Sequence, residues 1–266
     1  MKRAVSGRPF KVCLAAMCLF FSVGHKAAAD DTLRLYYLAL PGLLEGENGA
    51  NHGPLAKVIR EVSKRADVEF QLQYMVMNRM IRELQTEEAA AGVPQLGAMI
   101  KFRYERPVQL SLPIVFRRDY AFVRTNTTIP HTLNEIRKMV LVISPMTTLP
   151  PPLNVIRDEL AILETHSDAS ALTLLSKGRA DVWINDETTT RAGILEADVD
   201  NIKYDANRPF YVWPAHMVFS KSVSPALIKR IDAAILSMVR DGTMDRALPK
   251  NFVSNYNAYL PKPKGN

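Results

Sequence analysis

From position 33 onward, short apolar runs alternate with stretches in which apolar residues recur every three or four positions. "LRLYYLAL" (33–40) reads as a strand and is followed by a Gly/Asn-rich loop. Pro54 then suits a first helical turn, and Leu55, Val58, Ile59 and Val62 follow at the spacing of one helix face. "VEFQLQYMV" predicts a second strand, with Asn78 able to cap the helix "RMIRELQT". "QLGAMIKF" and "YAFVRTN" predict further strands. A second series starts after Asn126. Thr132 can cap "LNEIRK", "MVLVIS" is a strand, and the Pro-rich "TTLPPPL" (147–153) is a loop. Ser170 can cap "ALTLLSK", and Gly178 can end that helix in a left-handed turn. "SPALIKRIDAAILSMVRDG" is the strongest helix. Ser224 caps it, Pro225 takes the first turn, Leu227, Ile231, Ala234 and Met238 form its buried stripe, and Gly242 ends it. Strands alternating with amphipathic helices define an α/β class with a largely parallel sheet.

"GRADVWIND" (178–186) carries an apolar run, Val182-Trp183-Ile184, with an acid at each end. If the run is a parallel strand, Asp186 lies just past its carboxyl end, the edge at which open α/β sheets bind ligands. Asp186 can equally cap a helix formed by the residues after it. Asp181, at the other end, is expected to cap or pair locally.

The first 29 residues change the bulk picture. A basic start (Lys2, Arg3, Arg8, Lys11), an apolar stretch from Val12 to Val23 and Ala27-Ala28-Ala29 together predict a cleaved secretory signal peptide and a periplasmic protein. That stretch and every later apolar run fall short of a membrane helix. Both cysteines, Cys13 and Cys18, leave with the peptide, so the core alone must hold the remaining chain of about 237 residues together. Five of the 34 basic residues leave too, with no acidic one, so 29 basic residues face 27 acidic ones and the net charge is +2. Nucleic acid therefore drops out as an expected partner. His52, His131, His166 and His216 are scattered without metal-ligand spacing, and no P-loop, dinucleotide turn or zinc pattern is present. "THSD" (165–168) sets His, Ser and Asp side by side, but triads assemble in space, so a loop capping the next helix is the simpler reading. No enzyme, metal or cofactor is expected.

Scattered matches over nearly all of the exported part resemble family 3 of the bacterial extracellular solute-binding proteins, the periplasmic amino-acid-binding components of ABC importers. "LQTEEAAAGVPQLGAMIKFRYERPVQLSLPI" carries Leu84, Gly92, Ile100, Arg106, Ser111, Pro113 and Ile114 in the family's order. "TLNEIRKMVLVIS", "LLSKGRADVWIND" and "AHMVFSKSVSPALIKRIDAAILSMVRDGTM" are similar to later family segments. The resemblance implies a type II periplasmic binding fold: two α/β lobes, two hinge strands, and a ligand in the cleft. Residues 30–122 and 221–266 would form lobe 1, and residues 123–220 lobe 2, with crossings at 122–126 and 216–220. It also implies a monomer that captures a small polar ligand, amino-acid-like or anionic, by lobe closure and passes it to an inner-membrane permease. A sensor, a protein-interaction module or a small periplasmic dehydratase can use the same fold.

Site residues follow from the resemblance position by position. Arg106 would hold a ligand carboxylate through its guanidinium, with Arg103 as the alternative. Asp186 would receive an ammonium group, and Thr147 would stand in the loop that offers backbone N–H groups. Met146 replaces the usual glycine there, and Gln95 the usual aspartate of an earlier turn. Tyr37 (with Tyr36) and Arg79 are further ligand candidates, whereas Trp183 is expected in the core. Lys101 and Arg103 stand where the family carries threonines. On one strand they would share a face and make the cleft floor positive, favouring an anionic ligand.

Overall fold

The structure, a computed structural model, describes residues 31–40, 42–46, 52–86, 88–145, 147–250, 252 and 256. The expected signal peptide, Cys13, Cys18, Met146 and the tail from 260 onward lie outside these residues.

The elements run in the order β1 (Asp31–Tyr37), α1 (Pro54–Ala66), β2 (Val68–Tyr74), α2 (Met77–Glu83), β3 (Ala90–Leu96), α3 (Ile100–Arg103) and β4 (Gln109–Arg124). Next come α4 (Leu133–Ile136), β5 (Val140–Ile143), α5 (Pro151–Val155), β6 (Ala161–Glu164), α6 (Asp168–Ser176), β7 (Val182–Asp186) and α7 (Glu187–Ala197). The chain returns through β8 (Ile202–Lys203) and β9 (Tyr211–Phe219) to α8 (Pro225–Arg240) and α9 (Thr243–Ala247). Strand order is β2-β1-β3-β9-β4-β7-β5-β6, with β8 on β4. β1 is parallel to β2 and β3, and β5 is parallel to β6 and β7. β4 and β9 are antiparallel to each other and to their outer neighbours.

The buried clusters divide between two lobes, in a two-lobe periplasmic binding fold of type II. In lobe 1, Leu55, Val58, Ile59 and Val62 of α1 and Ile231, Ala234 and Met238 of α8 pack on Leu35, Val93, Phe116 and Met217 of the sheet. Full burial of each larger aliphatic side chain stabilises the fold by about 1.5–3 kcal/mol. Lobe 2 packs Ile136, Leu153, Leu141, Val182 and Ile184 on one face of its strands. Phe122, Leu172, Leu175 and Trp183 fill the other face. Core membership changes between Phe116 and Tyr120 on β4 and between Phe210 and Val212 at the start of β9. Residues 122–126 and 216–220, where crossings were expected, begin inside lobe 2's core and lie largely inside lobe 1's core respectively.

Local signals account for many boundaries. Thr132 makes a capping box with Glu135, and the Ser224 side chain accepts the Leu227 N–H. Gly178 (φ 73°) and Gly242 (φ 74°) take the left-handed conformation that favours glycine. Ser167 caps α6, so "THSD" is a capping loop and Ser170 supplies the N–H that Ser167 accepts. Asn78 does not cap: α2 starts at Met77 behind Val76, without a side-chain cap. The Pro-rich 147–153 stretch was expected to be all loop, but Pro151 opens the short helix α5.

The largest departure concerns "QLGAMIKF". The strand ends at Leu96, residues Gly97–Met99 form a 3-10 turn and Ile100–Arg103 a helical turn. A Cβ on Gly97 would lie 2.7 Å from His216 Nε2, so the backbone can pass that ring only because glycine stands there. Lys101 and Arg103 therefore do not share a strand face. Two residues apart on a helical turn, they diverge by about 200°.

Candidate functional site: the cleft between the lobes

A cavity of about 980 Å³ opens between residues 97–108 of lobe 1 and residues 147–157 of lobe 2. Its volume suits a small-molecule ligand. Three of the seven candidate residues line it: Lys101, Arg106 and Thr147. Lys101 is exposed and stands over the Phe102 ring, 4.8 Å from its centroid. The turn bearing Arg106 is held by Gln85. Its Oε1 accepts the N–H groups of Glu105 (2.8 Å) and Arg106 (3.0 Å), while its carbonyl accepts from Arg106 Nη1 (3.2 Å). Thr147 is already committed. Its N–H donates to the Ser144 carbonyl (3.0 Å), and its hydroxyl accepts from Ser144 N–H (3.0 Å) and Trp183 Nε1 (3.3 Å). Its backbone N–H is thus not offered to a ligand carboxylate in this arrangement.

The other four candidates do not line the cavity. Tyr37 is fully buried and donates to the Gly46 carbonyl at 2.7 Å. Arg79 is exposed on α2, with Nε 3.6 Å from Glu83. Asp186 ends β7 and caps α7, its Oδ1 accepting the Thr189 N–H at 2.9 Å. Its other oxygen lies 4.0 Å from Arg117 Nε. The acid at the far end of the buried strand starts the next helix and faces a cation at the lobe crossing. Asp181 accepts the Val140 N–H (2.8 Å) and faces Arg124 at 3.7 Å, the local pairing expected of it.

Arg103 turns inward, its Nη1 3.8 Å from Met77 Sδ. No carboxylate lies within ion-pair distance of it among the described residues. Burial pushes its pKa down, Tyr104 opposes that, and Arg117 adds to it. Lys101 faces the cavity and Arg103 stands behind its wall, a direct consequence of the helical turn that replaced the expected strand.

At the crossing itself lies a network that no sequence motif singled out. Arg117 and Asp119, two apart on β4, point to the same face. The guanidinium reaches both carboxylate oxygens, at 2.7 and 3.2 Å. Trp213 Nε1 donates to Asp119 Oδ2 at 2.7 Å, and Arg117 Nη2 to Asn185 Oδ1 at 3.3 Å. Asp119 is 0% exposed. Burial pushes its pKa up, while the Arg117 fork and the Trp213 N–H pull it back. Arg117, although also desolvated, is raised by Asp119 and Asp186. The bidentate geometry is that of an ionised pair. Nearby, His216 Nδ1 lies 2.8 Å from the Ser111 carbonyl, so Nδ1 carries the proton and Nε2 is the acceptor in the neutral ring. Burial lowers its pKa, and the bond to Ser111 only partly opposes that. Among the described residues, no group of three or more His, Cys, Asp or Glu side chains could hold a metal ion.

Solved structures share this architecture. The ligand-binding core of GluR0 in complex with L-glutamate matches with a TM-score of 0.59 at 14% identity, over 82% of this chain and 97% of that one. A histidine kinase sensor domain with similarity to periplasmic binding proteins matches with a TM-score of 0.57 at 14% identity, over 81% and 93%. An ancestral arginine-binding protein bound to arginine matches with a TM-score of 0.56 at 18% identity, over 86% and 98%. No family model and no curated protein matches the chain. At these identities the likeness establishes the periplasmic binding fold.

Proposed function

We propose that the chain is an exported solute-binding protein. It captures a small polar ligand, amino-acid-like or anionic, between its lobes and presents it to an inner-membrane permease. One observation carries the reading: a cavity of about 980 Å³ is walled by one segment from each lobe, so a ligand touching both walls favours the closed arrangement. Structural neighbours bound to arginine and to L-glutamate are consistent with it. The leader pattern in residues 1–29 supports export, and the protein acts as a monomer. A thermal-shift screen over amino acids, dicarboxylates and other small organic anions tests the reading, because a ligand that binds only the folded state raises the melting temperature. Small-angle scattering of any hit should show compaction. Failure of the whole panel to shift melting overturns the proposal. The similarity to a histidine kinase sensor domain favours a second reading, in which the same closure signals to a membrane partner. A ligand-stimulated complex with a kinase rather than a permease, found by cross-linking in membranes, identifies that case.

A further inference from the structure

Resting on the reading of the cleft as a solute site, we propose that its ligand is an organic anion with an apolar or aromatic body and no ammonium group. Among the described residues the lining carries Lys101, Arg106 and Arg157 against one carboxylate, Glu105, with Arg106 already engaged at the Gln85 turn. Arg157 is partly committed to Glu164, at 3.2 Å. Lys101 has no carboxylate within ion-pair distance among the described residues and lies against an aromatic ring. Behind the lobe 1 wall, Arg103 adds a cation that has no carboxylate partner among the described residues and is close enough to Arg117 to be influenced by it. Cationic side chains thus outnumber carboxylates among the described residues of the cleft, which suits an anion.

The acid that the family resemblance would give to an ammonium group is engaged elsewhere. Asp186 lies outside the lining, holding the Thr189 N–H and facing Arg117. Glu105 is the only carboxylate among the described lining residues, and it stands beside Arg106 on the exposed rim. An amino acid would thus meet abundant partners for its carboxylate and a poor site for its ammonium. A buried charge without a partner is strongly disfavoured.

The remainder of the lining selects for carbon. Phe102 on one wall and Val155 on the other are 62% and 85% exposed, with Ile100 and Leu149 also in the lining. Large apolar side chains left open on both sides of a cleft suit a ligand whose body covers them on closure. An anionic head on Lys101 and an aromatic body between Phe102 and Val155 satisfies both halves of the lining.

Titration calorimetry with the purified protein separates the possibilities, using two pairs that differ only in the ammonium group: 3-phenylpropionate against L-phenylalanine, and glutarate against L-glutamate. The inference expects 3-phenylpropionate to bind tightest and at least tenfold tighter than phenylalanine, with affinity falling as salt rises. Lys101→Met should weaken it about tenfold, and Phe102→Ala should remove its advantage over glutarate. Circular dichroism checks that both variants fold. If either amino acid binds as tightly as its deaminated partner, and Glu105→Gln weakens it, ammonium recognition is established. The inference then falls while the solute-binding reading stands. If none of the four compounds binds, the inference falls; the solute-binding reading itself falls only if the broader melting screen is also blank.

Discussion

Replacing Asp119 tests whether the crossing between the lobes depends on its ion pair. Asp119→Ala removes both carboxylate oxygens, which lie 2.7 and 3.2 Å from the Arg117 guanidinium, and the acceptor of the Trp213 N–H. Losing one partner of a buried pair costs about 3–5 kcal/mol, because the other charge stays desolvated. Two features favour the lower end. The Arg117 side chain is 23% exposed, and Asp186 at 4.0 Å remains as a weaker counter-charge. The expected loss is therefore about 3 kcal/mol. With a urea slope of about 2–3 kcal/mol per molar, the midpoint should fall by roughly 1 M. Asp119→Asn keeps a Trp213 acceptor and should lose less. The double replacement Arg117→Met with Asp119→Leu removes the orphaned charge as well, so it should be more stable than Asp119→Leu alone. Urea unfolding at pH 7, followed by circular dichroism, compares these variants and the single Arg117→Met with the parent. A midpoint for Asp119→Ala within about 0.2 M of the parent, or a double variant that merely sums its singles, would refute a buried, coupled pair.

Two further outcomes concern the ring beside the cleft. The pKa of His216 is lowered by burial, so the unfolded state binds its proton first, and stability should rise with pH up to the unfolded value of about 6.5 and then level off. His216→Asn should flatten that slope in urea titrations between pH 5 and 8, whereas an unchanged slope would remove His216 as its source. Gly97→Ala should destabilise by about 1–3 kcal/mol, since the new methyl group lies 2.7 Å from His216 Nε2. Combining it with His216→Ala should restore part of that loss in thermal melts, and purely additive losses would show that the ring is not the obstacle.

Elements whose signals are local could be read from the sequence. Thr132, Ser224 with Pro225, and the stripes of α1 and α8 each announce themselves within one or two turns, and the structure has them where the pattern places them. The strand expected over 95–102 holds only for Gln95 and Leu96, which pair with β9. "GAMIKF" is apolar enough to extend β3, but Gly97 must pass the His216 ring, and the chain folds into helical turns there. That change separates Lys101 from Arg103 and reassigns which of them meets the cleft. Asp186 was legible as two things at once, a strand-end acid and a helix cap. The geometry shows the cap, while a ligand at that position remains outside the observed lining. Arg117, Asp119 and Trp213 escaped notice because an Arg-x-Asp pair on a strand acquires meaning only when β9 brings an indole 94 positions away. Phe102 and Val155 likewise become a pair only once the lobes face each other.

β9 lies between β3 and β4 and is the strand that joins them. It enters the chain at Tyr211, after all the strands of lobe 2 and every other strand of lobe 1. During synthesis, then, β3 and β4 lack the strand that joins them until that late segment arrives. Lobe 2, enclosed in the chain between β4 and β9, has its full complement of helices and strands well before lobe 1 does. α8 follows β9 and packs on the sheet beside α1, so the residues from Tyr211 onward convert an open half-sheet into a closed core. A chain that stopped short of β9 would carry two unpaired strand edges into the solvent, the kind of exposed template along which separate molecules join.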